Sequence, residues 1–236
     1  MWWFKPKFLW FNKYLVQCLI FSGLSYLILI RLSQFSSLIP VIIGLLFYSK
    51  LNKPFNRLVW FLFFFVLIEF LSYWLSQLLG NNMPLSHIFT VIEFGMLISV
   101  FVVHFKIQTK YFLIIISIFT IIAFIDAFVL KNLKTFSSVA KPIESIIFTI
   151  AALYFYYDNF KHINQDADLF HQPMFWFSTS ILIYFSINFF RFLLFNTVIK
   201  ESINLGNIDY NIHSISNIIA NFLYGMAFLS FKWKTS

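Results

Sequence analysis

Long apolar runs recur along the chain, each about 20 residues long and separated from the next by a short polar stretch. Runs of this length cross a bilayer as helices, because lipid offers no hydrogen-bond partner to a free backbone group. Eight spans are predicted, at residues 14–30, 34–49, 58–78, 84–105, 111–130, 140–157, 174–195 and 209–230. The pattern therefore predicts an all-α fold, a single polytopic transmembrane helical bundle covering residues 1–236.

The first two spans depend on how the chain turns between them. Only a short turn around Arg31 separates the two runs, and Pro40 lies in the second, where proline kinks a helix or marks its start. If residues 14–30 lie along the membrane interface instead, the bundle has seven spans. Three lysines before the first run resemble the start of a signal peptide, but no small-x-small cleavage pattern follows, so we expect an uncleaved first span.

Composition agrees with a chain that is mostly span. Hydrophobic residues make up 60% of the sequence and charged residues 11%, whereas a soluble domain has about 25% charged residues. No loop is long enough for a kinase, nuclease or nucleotide-binding domain. The net charge of +8 comes from Lys and Arg in short loops beside apolar runs, so we expect a lipid bilayer as the partner and no nucleic acid.

The distribution of Lys and Arg predicts the orientation. Five of them fall on one side of the membrane, at Arg31, Lys131, Lys134, Lys141 and Lys200. Eleven fall on the other side, at residues 5, 7, 13, 50, 53, 57, 106, 110, 161, 232 and 234, and Arg191 lies inside a span. The positive-inside rule then places both termini in the cytoplasm.

Ionisable side chains inside the spans are the main candidates for function. A charge near the bilayer centre costs about 3 kcal/mol, so such residues usually face a cavity or a partner. The direction in which each span crosses the membrane places all seven of these ionisable residues at the membrane midplane or in the outer half. Arg191 is the expected counter-ion of a carboxylate, and Asp126 is expected to reach the outer interface. The set is Glu69, His87, Glu93, Asp126, Glu144, Arg191 and His213.

Helical spacing gives four spans one polar face each. These faces should meet, since none can be left against lipid. Alternatively, Ser180, Asn217 and Asn221 only hold helices together by hydrogen bonds. The four stripes are Glu69 with Ser72, Tyr73 and Ser76; Glu93 with Ser86 and Thr90; Ser180 with Tyr184, Asn188 and Arg191; and His213 with Asn217, Asn221 and Tyr224.

Scattered positions from about residue 38 to residue 230 resemble a family of small polytopic bacterial membrane proteins with seven to eight spans. They are Pro40, Tyr48, Lys50 to Lys53, Leu85, His87, Ile92 to Phe94, Glu144, Phe175, Trp176, Tyr184, His213 and Asn217. The resemblance implies a shared architecture in the bacterial cytoplasmic membrane. No activity is assigned to that family, so the resemblance supplies no mechanism.

No metal or cofactor is expected. Intramembrane metal hydrolases of the ceramidase and adiponectin-receptor type carry a His-x-x-x-His pair, but here the second position is Asn217, and Asn is a poor zinc ligand. Only His87 and His213 lie at a suitable depth for a three-His site. The longest loop, residues 158–173, contains His162, Asp166, Asp168 and His171, whose spacing matches no metal-ligand pattern, so a solvated loop is predicted.

The favoured hypothesis is a ligand-recognition or sensory membrane subunit, with an outward polar pocket for a small molecule or lipid and a cytoplasmic protein partner. An enzyme acting on a lipid is the first alternative, with Glu93 or Glu69 as base, His213 as acid or metal ligand and Arg191 binding an anionic headgroup. A proton- or ion-coupled transporter is the second. The candidate ligand-binding residues are Glu69, His87, Glu93, Glu144, Tyr184, Asn188, Arg191, His213 and Asn217.

Overall fold

The computed structural model describes residues 28–130, 136–137, 139–161, 169–194 and 203–233. Two short 3₁₀ turns (Tyr48–Lys50 and Leu169–His171) and a π-helical turn (Asp126–Leu130) join the helices, and no strand occurs in these ranges. The helices follow the apolar runs closely. They are α1 (Ile28–Leu46), α2 (Lys53–Leu79), α3 (Met83–His104), α4 (Thr109–Ile125), α5 (Ala140–Lys161), α6 (Pro173–Leu194) and α7 (Ile203–Trp233).

Six of these helices are long and apolar enough to cross a membrane. The exception is α5, which is 22 residues long but less apolar, because Lys141, Glu144 and Asp158 lie on it. Large apolar side chains such as Phe64 and Phe70 cover the outside of the bundle, as expected of a surface that faces lipid. The predicted helical membrane bundle is thus confirmed. Residues 14–27 of the first predicted span lie outside the described ranges.

The predicted turn at Arg31 is wrong. Arg31 lies within α1, and its Nη1 donates to Gln34 Oε1 at 3.2 Å. The helix is interrupted instead at Ser37, whose hydroxyl donates to the carbonyl oxygen of Gln34 at 2.6 Å. Such a bond competes with the backbone hydrogen bonds of the helix. Pro40 then falls in the first turn after the break, where its missing N–H leaves no backbone bond unmade.

Local signals define the ends of α2. Asn52 Oδ1 accepts a hydrogen bond from the backbone N–H of Phe55 at 3.3 Å, which caps the first turn. The last turn is closed by Gly80, which has φ +68° and donates its N–H to Ser76 O. A left-handed residue is needed there, and glycine adopts that conformation without strain. We call this side of the bundle the Gly80 end, and the opposite side, where α3 turns into α4, the Lys106 end.

The prediction that Asp126 reaches the outer interface is wrong. Asp126 is completely buried, and its Oδ2 accepts hydrogen bonds from Ser137 Oγ at 2.6 Å and from the backbone N–H groups of Val139 and Ala140 at 3.3 and 3.1 Å. A carboxylate in this position satisfies the free N–H groups at the start of a helix and interacts favourably with its dipole. Asp126 therefore fixes where α5 begins.

The most deeply buried helix is α7, which packs along α6 and against α1. Next to it, α6 packs along α5, and α3 contacts α2, α4 and α5. Aromatic rings fill the spaces between them, for example Phe94 stacked on Phe119 with ring centroids 3.8 Å apart. At the Gly80 end this packing is interrupted by a cavity between α2, α3, α5, α6 and α7.

Candidate functional site

A cavity of about 430 Å³ opens at the Gly80 end of the bundle. Ser76, Asn82 and Met83 line it where α2 turns into α3, and Phe65 and Phe89 line it deeper in the bundle. Gln34 of α1 also lines it, and five further helices contribute charged and polar side chains that include Glu69, Glu93, Lys141, Tyr184, Arg191, His213 and Asn217. Six of the nine side chains proposed from the sequence are thus gathered around one space, together with Lys141, which was not proposed.

Lys141 lies at the centre of a buried ion cluster. Its Nζ donates to Glu93 Oε2 and lies 2.9 Å from Glu144 Oε2, one turn further along α5. Lys141, the second residue of the span predicted at 140–157, was counted among the charges on one side of the membrane, but only 8% of the residue is exposed. Because Asp126 starts α5 at Ala140, the first turn of the helix carries Lys141 into the bundle.

The two carboxylates of this cluster differ in their surroundings. Glu144 is completely buried and lies behind Lys141, and its Oε1 has no hydrogen-bond partner among the described residues. Glu93 lines the cavity, and only its Oε2 is engaged by Lys141. In a low-dielectric interior one lysine balances only one of two carboxylates. Glu93 is the carboxyl group through which this cluster reaches the cavity.

The predicted pairing of Arg191 with a carboxylate is confirmed, and the partner is Asp209 rather than Glu93 or Glu144. Arg191 Nε donates to Asp209 Oδ2 at 2.9 Å, in the first part of α7. The guanidinium group also lies over the rings of Phe192 and Tyr210, at 5.5 and 5.9 Å from their centroids. Planar contact with aromatic rings and a charge-assisted hydrogen bond both favour arginine here over lysine. This pair closes one wall of the cavity.

Asn188 determines the protonation of the His213 ring. Its Nδ2 donates to the carbonyl oxygen of Tyr184 and to Ser216 Oγ, both at 2.8 Å. A carbonyl only accepts, so the amide nitrogen must point that way, and Asn188 Oδ1 then faces His213 Nδ1 at 3.1 Å. A neutral imidazole in this position carries its proton on Nδ1. His213 Nε2 is therefore left as a hydrogen-bond acceptor.

Glu69 forms a separate acidic group on α2. Its Oε2 accepts from Ser37 Oγ at 3.3 Å, at the interruption of α1. Ser72 and Ser76, which share its helical face, also line the cavity. Glu69, Ser72 and Ser76 of the polar stripe predicted on this span are therefore turned inward.

Two asparagines of α7 bind the neighbouring helix α1. Asn217 Nδ2 donates to Ser33 Oγ and Asn221 Nδ2 to Ser36 Oγ, each at 2.9 Å. Ser180 donates to the carbonyl oxygen of Ala220 at 3.0 Å. The prediction that these three residues connect helices is confirmed. Asn217 also lines the cavity and, with Asn221, a separate small cavity of about 30 Å³, which adjoins the first one because Glu93 and Tyr184 line both.

Three of the proposed residues are not among those that line the cavity. Asn188 and Glu144 are completely buried behind it, where they position His213 and Lys141 respectively. His87 is also buried. Their proposed role as direct ligand contacts thus gives way to indirect roles for Asn188 and Glu144.

The sequence contains weak signals for the two residues that its analysis missed. Lys141 stands three residues before Glu144, a spacing that pairs side chains on one helix face. Asp209, the first residue of the span predicted at 209–230, precedes His213 by four residues and so shares its helical face. Among the described residues, no group of three or more His, Cys, Asp or Glu side chains is arranged to hold a metal ion.

Comparison with known proteins gives no further identification. No family model, no curated protein and no solved structure matches the chain. The resemblance to a bacterial membrane protein family therefore stays a prediction. The chain is a helical bundle with membrane-spanning character, and its candidate site is the charged cavity at the Gly80 end.

Proposed function

We propose that the protein binds a small polar molecule in the cavity at the Gly80 end, as a ligand-recognition or sensory membrane subunit. One observation carries this proposal: charged and polar groups from α2, α3, α5, α6 and α7 line a single cavity. Its volume of about 430 Å³ is within the range of small-molecule sites. On the expected orientation the cavity opens outward, and the loops at the Lys106 end are available to a cytoplasmic partner.

Binding can be tested by ligand-induced stabilisation of the purified protein in lipid nanodiscs. A panel of small amines, carboxylates, phosphates and zwitterions is added, and the unfolding temperature is followed, because a ligand that binds only the folded state stabilises it. Ser76→Trp places a bulky ring in the cavity lining, whereas Leu78→Trp places the same ring on a side chain that is 74% exposed.

We expect at least one class of solute to stabilise the wild type and Leu78→Trp and to lose its effect on Ser76→Trp. If no solute stabilises the protein, or if Ser76→Trp responds like the wild type, the proposal is wrong. Turnover of an added lipid in the same preparations would favour the alternative of a lipid-directed enzyme.

Transport is a second candidate, favoured by a second cavity. This cavity has a volume of about 640 Å³ and lies at the Lys106 end, lined by polar residues that include Asn52 and His104. Phe55 in its wall contacts Phe177 at 6.0 Å between ring centroids, and Phe177 contacts Tyr224 at 5.9 Å, beside the small cavity that adjoins the first one. A transporter needs such a pair of cavities with a closed barrier between them.

Flux measurements distinguish transport from binding alone. Proteoliposomes are loaded with whichever solute stabilises the protein, and release is measured with and without a pH gradient. Net flux that is lost in Ser76→Trp supports transport. Binding without flux leaves recognition as the function.

A further inference from the structure

We infer that the cavity at the Gly80 end selects a ligand that carries a primary ammonium group. This inference rests on the binding function proposed above and names the chemical class of the ligand. It follows from which hydrogen-bonding groups around the cavity are already engaged and which are not.

The charged donors around the cavity are engaged by the protein itself. Lys141 Nζ is shared between Glu93 and Glu144, and Arg191 Nε donates to Asp209. An anionic ligand would place a further negative charge beside the carboxyl groups that already bind these two cations, so the lining disfavours carboxylates and phosphates.

Several acceptors, in contrast, have no hydrogen-bond donor among the described residues. These are Glu93 Oε1, Glu69 Oε1, Asn217 Oδ1 and His213 Nε2. Each belongs to a side chain that lines the cavity. An ammonium group has three N–H donors and no acceptor, so it matches this set of acceptors.

The formal charges around the cavity also favour a ligand that carries a positive charge. Around the cavity and directly behind it, Glu69, Glu93, Glu144 and Asp209 are accompanied among the described residues by two permanent cations, Lys141 and Arg191. A bound cation would stabilise the ionised form of these carboxyl groups inside a region of low dielectric constant. Phe65 and Phe89, whose ring centroids are 5.3 Å apart, line the same space and supply aromatic faces on which a cation is attracted.

Two sources can present this group to the cavity. One is a soluble amine entering from the water, and the other is the headgroup of an aminophospholipid reaching in from the surrounding bilayer. The ammonium group is common to both, so the experiment needs one arm for each.

In the soluble arm, the protein is placed in nanodiscs of phosphatidylcholine, whose headgroup has no N–H donor. Ethanolamine is titrated and compared with choline, its trimethylated counterpart, and with acetate and inorganic phosphate. We expect ethanolamine to raise the unfolding temperature and to bind about 10- to 100-fold more tightly than choline. Choline binds less tightly because it has no N–H group and cannot form the charge-assisted hydrogen bonds of the ammonium group.

In the lipid arm, native mass spectrometry measures how much phosphatidylethanolamine stays bound from an equal mixture with phosphatidylcholine. Retention of phosphatidylethanolamine with no response to ethanolamine identifies a lipid source. A response to ethanolamine without retention identifies a soluble source. Either result supports an ammonium-selective cavity.

Substitutions of two glutamates test where in the cavity the ammonium group binds. Glu93→Gln and Glu69→Gln keep the size of the side chain and remove its charge, and each should weaken the binding of the ethanolamine group about 10-fold or more. Glu69→Gln provides a second test if Glu93→Gln fails to fold, because Glu69 lies outside the Lys141 cluster. Asp158→Asn, at the Lys106 end of α5, is the matched control and should leave binding unchanged.

The outcomes separate this inference from the proposed function. If acetate or phosphate stabilises the protein and Ser76→Trp removes that effect, the cavity binds ligands but the ammonium inference is wrong. Equal binding of choline and ethanolamine, or ethanolamine binding that survives both glutamine variants, also overturns the inference. If no probe in either arm binds, both the inference and the proposed function fall.

Discussion

Lys141→Met tests whether the ion cluster around Lys141 is a buried, interdependent unit. The substitution keeps most of the length of the side chain but leaves Glu93 and Glu144 without the cation that they share. Both carboxylates are enclosed, with 8% and 0% of the residue exposed. Removing one partner of a buried ion pair typically costs 3–5 kcal/mol. Because a carboxyl group can take up a proton and so relieve part of this cost, we expect a loss of about 3 kcal/mol.

The free energy of unfolding can be measured in mixed micelles by titration with a denaturing detergent, with helicity followed by circular dichroism. Lys110→Met is the control, since Lys110 is exposed and its removal should change stability by no more than about 0.5 kcal/mol. In the triple variant Lys141→Met/Glu93→Gln/Glu144→Gln no charge is left unpaired, so much of the lost stability should return. The reasoning is refuted if Lys141→Met is as stable as the wild type, or if the triple variant is less stable than Lys141→Met.

Four further substitutions test the packing and hydrogen bonding described above. Asp126→Ala removes the cap of α5 and should lower the free energy of unfolding by about 1–2 kcal/mol, and full stability would contradict the capping role. Gly44→Ala should destabilise by about 1–3 kcal/mol, because its Cβ would lie 2.5 Å from a methyl carbon of α2, whereas Gly95→Ala, with its nearest contact at 3.6 Å, should be neutral or stabilising. Nitrogen-15 spectra should show His213 protonated on Nδ1 in the wild type, and Asn188→Leu should change this signal; an Nε2-protonated ring would contradict the assignment.

Much of the fold could be predicted because the bilayer imposes a strong rule on the sequence. The ends of the predicted spans at 84–105 and 174–195 lie within one residue of those of α3 and α6. Polar spacing was equally informative, since the stripes containing Asn188 and His213 face each other across α6 and α7. Helical periodicity places such residues on one face of the helix. Polar groups are unfavourable against lipid, so this face packs toward the inside of the bundle.

The partners of the charges could not be predicted, because they depend on where helices begin. Lys141 was counted among the charges on one side of the membrane because it lies at the start of its predicted span, and its burial follows from the capping of Ala140 by Asp126, 14 residues earlier along the chain. Asp209 was placed at the very edge of its span, but α7 begins earlier, at Ile203, and so carries Asp209 into contact with Arg191. Helix boundaries set by tertiary contacts are the part of a fold that periodicity determines least.

The arrangement of charge in this bundle is difficult to explain by helix adhesion alone. Adhesion is carried out nearby by neutral groups, since Asn217 and Asn221 connect α7 to α1 through serine hydroxyls. Charged clusters in lipid are costlier than such amide bonds and add little stability over an apolar replacement. Here the charged clusters surround the cavity and do not merely fill an interface between helices. Glu93 extends one cluster to the cavity wall, and Glu144 contacts Lys141 from the buried side. Charged groups are costly to bury, so their arrangement around the cavity is most simply explained by a ligand that binds there.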